Sequence, residues 1–301
     1  WRDWLDQALF QPLGMSRSGA RASRFDDLPV YHRWMGERGW DVFPGKPDDL
    51  MHAAGGLVVS PRDMARWLQV QLGAANDAVR PEWVTTAQTP VVAADIQGDV
   101  LPCQGYALGW NICRIGGVDV RIHGGAYTGM RSAMAVSPEL GVAIAVFSTS
   151  DSLTGGLSQT LIQALFETVQ NTGFAAPTGQ AFGEQYAARL ASFGQRRMAQ
   201  VDQRRAEAQW AGWAWRPSAA ARAAYAGRYR HPTFGDFEVT TDGETVHARL
   251  GVVDHVLEPA APDLFGVADG AADPPAPLRF ERTGDRVTAL VWDDERFERV
   301  D

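Results

Sequence analysis

The chain has 301 residues, of which 45% are hydrophobic and 21% are charged, and this composition excludes a disordered or fibrous protein. The formal net charge of -8 argues against binding to nucleic acid. The longest apolar run, residues 141–147, has the length of a strand and is far shorter than the ~20 residues that a transmembrane helix requires. A chain of this length is expected to form about two domains.

The first predicted element is an amphipathic helix over residues 1–10, with Trp1, Leu5 and Ala8 on one face. Because this helix begins without a capping segment before it, we expect it to belong to the interior of a longer domain. Residues 16–52 show no period and are interpreted as a functional loop or lid.

A second helix is predicted to begin after Ser60, a favourable N-cap that precedes Pro61 and Asp63. The pattern then changes to that of strands. Strands are predicted at residues 106–112, 118–123, 130–136 and 142–148. Together they indicate a mostly antiparallel sheet, which a predicted helix over residues 153–169 would cover.

The last third of the chain differs in composition. Residues 181–212 are rich in Ala, Gln and Arg and predict a helical connector. From residue 225 onward, short strands separated by turn signals predict a small antiparallel barrel or sandwich, which carries 8 Arg against 16 Asp and Glu. We therefore expect an α+β chain in three parts, at residues 1–175, 176–222 and 223–301.

Several side-chain groups allow two interpretations. Trp210, Trp213 and Trp215 indicate packing between connector and barrel rather than a ligand platform. The Arg pairs 196/197 and 204/205 indicate a solvated face, with docking onto the acidic barrel as the alternative. The run Asp293-Asp294-Glu295 indicates a hairpin turn and not a catalytic carboxylate pair.

The cysteines and histidines give no sign of a metal site or cofactor. Cys103 and Cys113 are the only cysteines, and two buried thiols are favoured over a disulfide. The six histidines include no His-x-x-x-His spacing, so no metal ligand is predicted.

The segment from His123 to Tyr127 is the most informative for chemistry. Gly124 and Gly125 follow a histidine at the end of a predicted strand, where a glycine lets a ligand approach the backbone. The spacing alone favours a bulge and turn with a core histidine. Tyr127 either borders a substrate cleft or packs on the sheet.

Three segments in combination resemble the serine β-lactamase-like hydrolases, which include class C β-lactamases, penicillin-binding proteins, esterases and D-aminopeptidases. The segments are Phe10-Gln11-Pro12-Leu13-Gly14-Met15, Ala54-Gly55-Gly56-Leu57 with Ser60, Asp63 and Met64, and Gly105-Tyr106-Ala107-Leu108-Gly109-Trp110 followed by His123-Gly124-Gly125-Ala126-Tyr127-Thr128-Gly129. The residues from Tyr225 onward look like the lipocalin-like barrel often appended to this family.

The resemblance implies roles for the third segment. His123, Gly124 and Gly125 correspond to the Lys-Thr-Gly motif of the family. The backbone N–H of Ala126 would then be one half of the oxyanion hole. The strand over residues 118–126 would bind a peptide-like substrate by strand addition, with Gly124, Gly125 and Tyr127 in contact with it. An imidazole in place of the family's lysine favours an ester or peptide over a β-lactam.

The two other motifs of the family are missing from this sequence. The only lysine, Lys46, follows Phe43 at the required spacing, so there is no Ser-x-x-Lys, and no Tyr-x-Asn or Ser-x-Asn is present. In the family both motifs precede the Pro-Leu-Gly-Met segment. We therefore expect the C-terminal part of a serine hydrolase, inactive alone, whose partners are a small-molecule or peptide substrate and possibly the missing N-terminal part as a separate chain. The alternative is a non-catalytic member that binds a peptide or partner. The resemblance implies a periplasmic or exported protein.

Overall fold

The computed structural model describes residues 1–34, 39–43, 45–48, 52–96, 102–150, 156–170, 179–251, 253–268 and 273–301. They form two compact units, one of Trp1–Trp34 with Trp40–Leu190 and one of Ala191–Asp301. The first contains a six-stranded antiparallel sheet with helices, and the second contains a closed antiparallel barrel of eight strands. The predicted α+β class and the predicted barrel are confirmed.

The elements follow one another along the chain. The helices are α1 (Arg2–Leu5), α2 (His52–Gly55), α3 (Pro61–Gln71), α4 (Pro81–Gln88), α5 (Leu157–Val169), α6 (Gly179–Arg205) and α7 (Ala219–Ala223). The strands of the first unit are β1 (Ser18–Gly19), β2 (Tyr31–Trp34), β3 (Trp40–Phe43), β4 (Val58–Val59), β5 (Val92–Ile96), β6 (Cys103–Tyr106), β7 (Asn111–Ile115), β8 (Val118–Tyr127), β9 (Met130–Ser137) and β10 (Val142–Ser148). The barrel strands are β11 (Gly227–His231), β12 (Gly235–Thr241), β13 (Val246–Leu250), β14 (Val253–Ala261), β15 (Leu264–Val267), β16 (Ala276–Thr283), β17 (Arg286–Trp292) and β18 (Glu295–Arg299).

The main sheet has the strand order β10-β9-β8-β7-β6-β5. Helix α5 packs on one face of it, where Ile162 and Phe166 are fully buried against Val120 and Ala135. The prediction of a helix that covers the sheet is confirmed over α5. Its first predicted residues, 153–155, lie outside the described residues.

The predicted start of α3 is confirmed. The Ser60 side chain accepts a hydrogen bond from the Asp63 backbone N–H at 3.2 Å, as an N-cap does. The buried Asp63 carboxylate in turn accepts from the Arg17 backbone N–H at 2.7 Å and from Ser18 Oγ at 2.9 Å. One acidic side chain therefore joins the helix start to β1.

Two predictions for this unit are wrong. The segment 16–52 is not without regular structure, since it contains β1, a 3-10 turn, β2 and β3. Strands of two to four residues are too short to show a period. The interpretation of the segment as a functional loop or lid stays a prediction. Residues 106–112 are not one strand but the end of β6 and the start of β7. The chain reverses between them: Ala107 N–H donates to Trp110 O at 2.8 Å, and Gly109 has a φ of +88°.

The prediction of two free thiols is also wrong, since Cys103 and Cys113 form a disulfide. The reversal between β6 and β7 makes them direct cross-strand partners with a Cα–Cα distance of 3.9 Å. Within a single strand the two residues would have been far apart, so the missed turn explains the missed disulfide.

The disulfide has a measurable consequence. We expect the intact native protein to weigh less than the reduced chain by the mass of two hydrogens. The double variant Cys103→Ala/Cys113→Ala should unfold with a free energy about 3 kcal/mol lower than the native protein, because the closed loop restricts the unfolded chain. Denaturant titration measures the loss. A native mass equal to that of the reduced chain would show that the bond does not form.

The barrel interior is filled by side chains. Its core includes six aromatic residues, each at most 4% exposed: Tyr225, Tyr229, Phe237, Phe265, Phe280 and Phe297. Tyr229 donates from its hydroxyl to Tyr225 O at 2.6 Å, and burial raises the pKa of Tyr229 to about 12. The interior of an eight-stranded barrel is just wide enough for side chains to fill it, as they do here.

The connector packs on the barrel through its tryptophans, as predicted. Trp210 is fully buried against Ala260 and Leu264, and Trp213 stacks on it at 4.7 Å between ring centroids. A Cβ on Gly266 would lie 2.4 Å from the Trp213 ring, so this position has room only for a glycine.

The interpretation of the Arg pairs as a solvated face is wrong for three of the four residues. Arg197 pairs with Asp273, and Arg205 donates to Glu258 at 2.9 Å. Arg204 donates to the backbone oxygen of Pro275 at 3.2 Å. The alternative of docking onto the acidic barrel is therefore the correct one. Hydrophobic periodicity could not decide between the two, because it carries no information on the partner.

The acidic run at the end of the chain forms the predicted hairpin turn. Asp293 and Asp294 connect β17 to β18 with φ values of +50° and +65°. Two successive residues with positive φ are the mark of a type I′ turn, in which aspartate is tolerated.

Candidate active-site strand

Among the strands that the structure describes, β8 has neighbours on both sides over part of its length and on one side over the rest. Its ladder with β9 continues to the pair Tyr127–Met130, whereas its ladder with β7 ends at Asn111–Ile122. Gly124, Gly125 and Ala126 are accordingly exposed, although β8 lies in the middle of the sheet. We call residues 123–127 the open stretch of β8.

Two tight turns determine which backbone groups point to the open side. Gly116-Gly117 joins β7 to β8, and Thr128-Gly129 joins β8 to β9. The pair that closes a two-residue hairpin exchanges both hydrogen bonds, and every second pair along the ladder does the same. His123, Gly125 and Tyr127 are therefore bonded to β9. The N–H and C=O groups of Gly124 and Ala126 point to the side of β7, beyond the last β7–β8 pair.

The ladder gives no support to the interpretation of His123 as part of a bulge. The pairing of β8 with β9 runs from Arg121 to Tyr127 without a shift of register. His123 is half-buried opposite Met134, and its ring makes no hydrogen bond to another side chain or backbone group in the part of the chain described. It shares one face of the strand with residues 125 and 127.

The two glycines of the open stretch have different surroundings. A Cβ on Gly124 would have Ser132 O as its nearest neighbour at 3.6 Å, an ordinary contact. A Cβ on Gly125 would lie 2.5 Å from Ser132 Oγ. The hydroxyl of its cross-strand partner thus occupies the space of a side chain at position 125 and would have to rotate away to admit one.

Ser132 is a site residue that sequence reasoning missed. Its hydroxyl lies over Gly125, on the face that carries His123, two pairs further along the ladder. The signal was present but indirect: the two-residue turn at Thr128-Gly129 fixes Ser132 opposite Gly125 once the hairpin is recognised.

The contrast between the glycines is testable by substitution. We expect Gly125→Ala to lower the free energy of unfolding by about 1 kcal/mol, because the Ser132 hydroxyl must leave its position, and Gly124→Ala to cost less than about 0.5 kcal/mol. The double variant Gly125→Ala/Ser132→Gly should recover most of the loss, because it removes the colliding hydroxyl. Denaturant titration of the four proteins measures these differences. Equal losses at the two glycines would contradict the assignment.

The tip of the β8–β9 hairpin contacts β2. His32 N–H lies 2.9 Å from Thr149 O and 3.3 Å from Gly129 O, and His32 Nδ1 lies 3.1 Å from Thr149 O. Gly129 has a φ of +72°, and a Cβ there would lie 2.7 Å from Tyr31 Cβ. The glycine therefore allows both the turn and the close approach of β2.

An aromatic pair forms at this contact. Tyr31 is 8% exposed, and its ring meets that of Tyr127 edge to face at 6.2 Å between centroids. Burial raises the pKa of the Tyr31 phenol. Tyr31 and His32 lie in the segment that the sequence indicated as irregular, so neither was among the predicted site residues.

Two further observations on the described residues concern metal ions and membranes. Within the described ranges, no group of three or more His, Cys, Asp or Glu side chains is placed to hold a metal ion. Among the helices seen there, none combines the length and apolarity needed to cross a membrane.

Comparison with known proteins identifies relatives of the first unit. The family model described as Beta-lactamase matches residues 1–166. A curated relative, the Unguisins hydrolase ungD' of Aspergillus campestris (strain IBT 28561), is 26% identical over 147 residues, which is 47% of this chain and 28% of that protein. The chain therefore spans less than a third of the length of this relative.

Solved structures give similar matches. The octameric penicillin-binding protein homologue from Pyrococcus abyssi is 18% identical with a TM-score of 0.48, covering 98% of this chain and 59% of that chain. The D-amino acid amidase from Ochrobactrum anthropi SV3 is 20% identical with a TM-score of 0.45, covering 57% of this chain and 51% of that chain.

Proposed function

This chain belongs to the β-lactamase family, and from that premise we propose that β8 is the substrate-binding strand of a serine hydrolase acting through an acyl-enzyme. The observation that carries the proposal is the open stretch, where a central strand exposes Gly124, Gly125 and Ala126. An extended peptide or amide can pair with such a stretch as an added strand.

Ala126 is the proposed oxyanion donor. Its N–H points to the open side of β8, where no strand of the sheet accepts it. A fixed backbone N–H at such a position stabilises the negative charge that develops on a carbonyl oxygen during acyl transfer. Gly124 then pairs with the substrate main chain on the same side, and Tyr127 contacts its side chain.

His123 is the proposed polar group of the strand beside the reacting carbonyl. An imidazole offers ring nitrogens in place of the ammonium group of a lysine, so it holds an anionic substrate group less firmly than a lysine does. An ester or amide of a peptide is therefore the proposed substrate class. The curated relative is named a hydrolase, which supports hydrolysis as the type of reaction.

The nucleophile is proposed to come from protein outside this sequence. No Ser-x-x-Lys and no Tyr-x-Asn occur in the 301 residues. A serine and its general base are needed to form an acyl-enzyme. They would be supplied by a preceding part of the same polypeptide or by a separate chain.

The disulfide favours an exported protein, since such bonds persist in oxidising compartments.

A turnover assay tests the proposal. We expect no hydrolysis of nitrocefin, p-nitrophenyl esters or amino-acid p-nitroanilides by this chain alone. Co-expression with the region encoded upstream should give turnover that a serine-directed phosphonate abolishes. Turnover by the chain alone that the phosphonate abolishes would overturn the assignment of the nucleophile.

The role of Ala126 has its own test in the reconstituted enzyme. Ala126→Pro removes the N–H, and the ladder with β9 does not use this group, so the strand should persist. We expect kcat to fall about 100-fold to 1000-fold. Ala126→Gly keeps the N–H and should leave kcat within a few-fold. Unchanged turnover in Ala126→Pro would remove Ala126 from the oxyanion hole.

A further inference from the structure

We infer that Tyr127, held in place by Tyr31, selects the substrate side chain and favours an aromatic or large aliphatic residue beside it. The inference rests on the proposed function, because it requires a ligand strand paired with the open side of β8. It adds a substrate class: a short extended peptide or amide with a bulky apolar residue at one end of the paired segment.

The open stretch sets the size of the ligand. Five residues of a strand extend about 16 Å, so about three extended ligand residues have room to pair with Gly124 and Ala126. The stretch begins beside Trp110, which is buried at the end of the β6–β7 hairpin. It ends at the turn after Tyr127. A longer extended segment would have to leave the strand at one of these ends.

On the face of β8 that carries His123, the open stretch offers one apolar side chain to a ligand. Position 125 has no side chain, and Ala126 projects from the opposite face. Tyr127 is therefore the apolar group that β8 presents there. A ligand residue opposite Tyr127 places its side chain on the same face, within contact distance of the ring.

Tyr31 makes this contact rigid. Its buried ring meets the Tyr127 ring edge to face, and Gly129 lets the β2 backbone approach closely. The His32 N–H donates to the backbone oxygens of Gly129, at the hairpin tip, and of Thr149. These bonds anchor β2. A ring fixed before binding loses little freedom when a ligand contacts it. Tyr31 is a positioning residue, because it acts through Tyr127.

Amide chemical shifts of the uniformly ¹⁵N-labelled full chain test the inference. The probes are acetyl-Ala-Ala-Ala-amide and the three peptides in which one Ala at a time is replaced by Phe. We expect all four to shift the Gly124 and Ala126 amides. One of the Phe peptides should bind about three- to tenfold more tightly than the all-Ala peptide, as an aromatic contact predicts.

Variants separate side-chain selection from backbone pairing. Tyr127→Ala should abolish the preference for Phe while the Gly124 and Ala126 shifts persist, and Tyr127→Phe should retain it. Tyr31→Ala should reduce the preference and Tyr31→Phe should keep it, because the hydroxyl is not involved. Tyr106→Ala, which removes a tyrosine that is 37% exposed on β6, is the matched control and should change nothing.

The outcomes distinguish the two proposals. Equal affinity for all four peptides, with shifts at Gly124 and Ala126, would overturn the selection by Tyr127 and leave the strand-pairing proposal intact. A preference that survives Tyr127→Ala would also overturn it. The absence of shifts at both amides with every peptide would overturn the inference together with the proposed pairing.

Discussion

Gly129→Ala is expected to lower the free energy of unfolding of the first unit by about 3 kcal/mol. Two costs add at this position. The φ of +72° disfavours any residue with a Cβ, by about 1 kcal/mol. The new Cβ would also lie 2.7 Å from Tyr31 Cβ and 2.8 Å from the His32 backbone nitrogen, and backbone cannot rotate away as a side chain can.

Gly141→Ala is the matched control. Gly141 lies in the β9–β10 turn with a φ of +65°, but a Cβ there would meet no atom within 4 Å. Only the conformational cost of about 1 kcal/mol remains. Urea titration gives both losses, and hydrogen exchange of the β2 and β8–β9 peptides locates them. Equal losses in the two variants would show that β2 does not approach Gly129 as described.

Phe265→Ala is expected to lower the stability of the barrel by about 4 kcal/mol, because truncating a fully buried aromatic side chain leaves a cavity. Phe265 is 0% exposed, and its ring contacts the rings of Trp215, Tyr225 and Phe280. The variant removes these contacts from the centre of the filled interior. The loss would appear as a lower urea midpoint and as faster hydrogen exchange in the barrel strands.

Phe234→Ala removes the same side chain from the surface of the same unit. Phe234 is 53% exposed in the turn before β12, so its loss should change stability by no more than about 0.5 kcal/mol. A small effect of Phe265→Ala, comparable to that of the control, would mean that the barrel interior is not the packed core described here.

The sequence predicted correctly those elements that are determined by residues close together in the chain. Ser60, Pro61 and Asp63 carry their capping chemistry within four residues, and the α3 start is where they indicate. The acidic pair Asp293-Asp294 likewise forms its turn without help from distant residues. Alternation in residues 118–123 predicted β8, because a strand with one buried face repeats every two residues.

The failures share a physical cause, which is dependence on a partner distant in sequence. Strand β2 is defined by its pairing with β3 and its bonds to Gly129 and Thr149, and four residues cannot reveal a period. The disulfide depends on a chain reversal at Gly109 that the strand pattern concealed. The three docked arginines depend on carbonyl and carboxylate oxygens more than 50 residues away.

In the candidate site, too, features determined by neighbouring residues were predicted and features that depend on another strand were not. Its sequence signal, His123-Gly124-Gly125, located the strand. It did not reveal that the Ser132 hydroxyl lies over the second glycine, since Ser132 comes from the neighbouring strand. Nor did it reveal the open side of β8, which exists because β7 begins only at Asn111, the partner of Ile122.

Residue-resolved hydrogen exchange across β8 tests the central claim most directly. If the open stretch is paired on one side only, the amides of Gly124 and Ala126 exchange fast, while those of Gly125 and Tyr127 are protected by β9. Protection of all four amides would mean that another segment covers the edge, and the substrate strand would have no place there. Fast exchange of all four would mean that the β8–β9 hairpin itself does not persist.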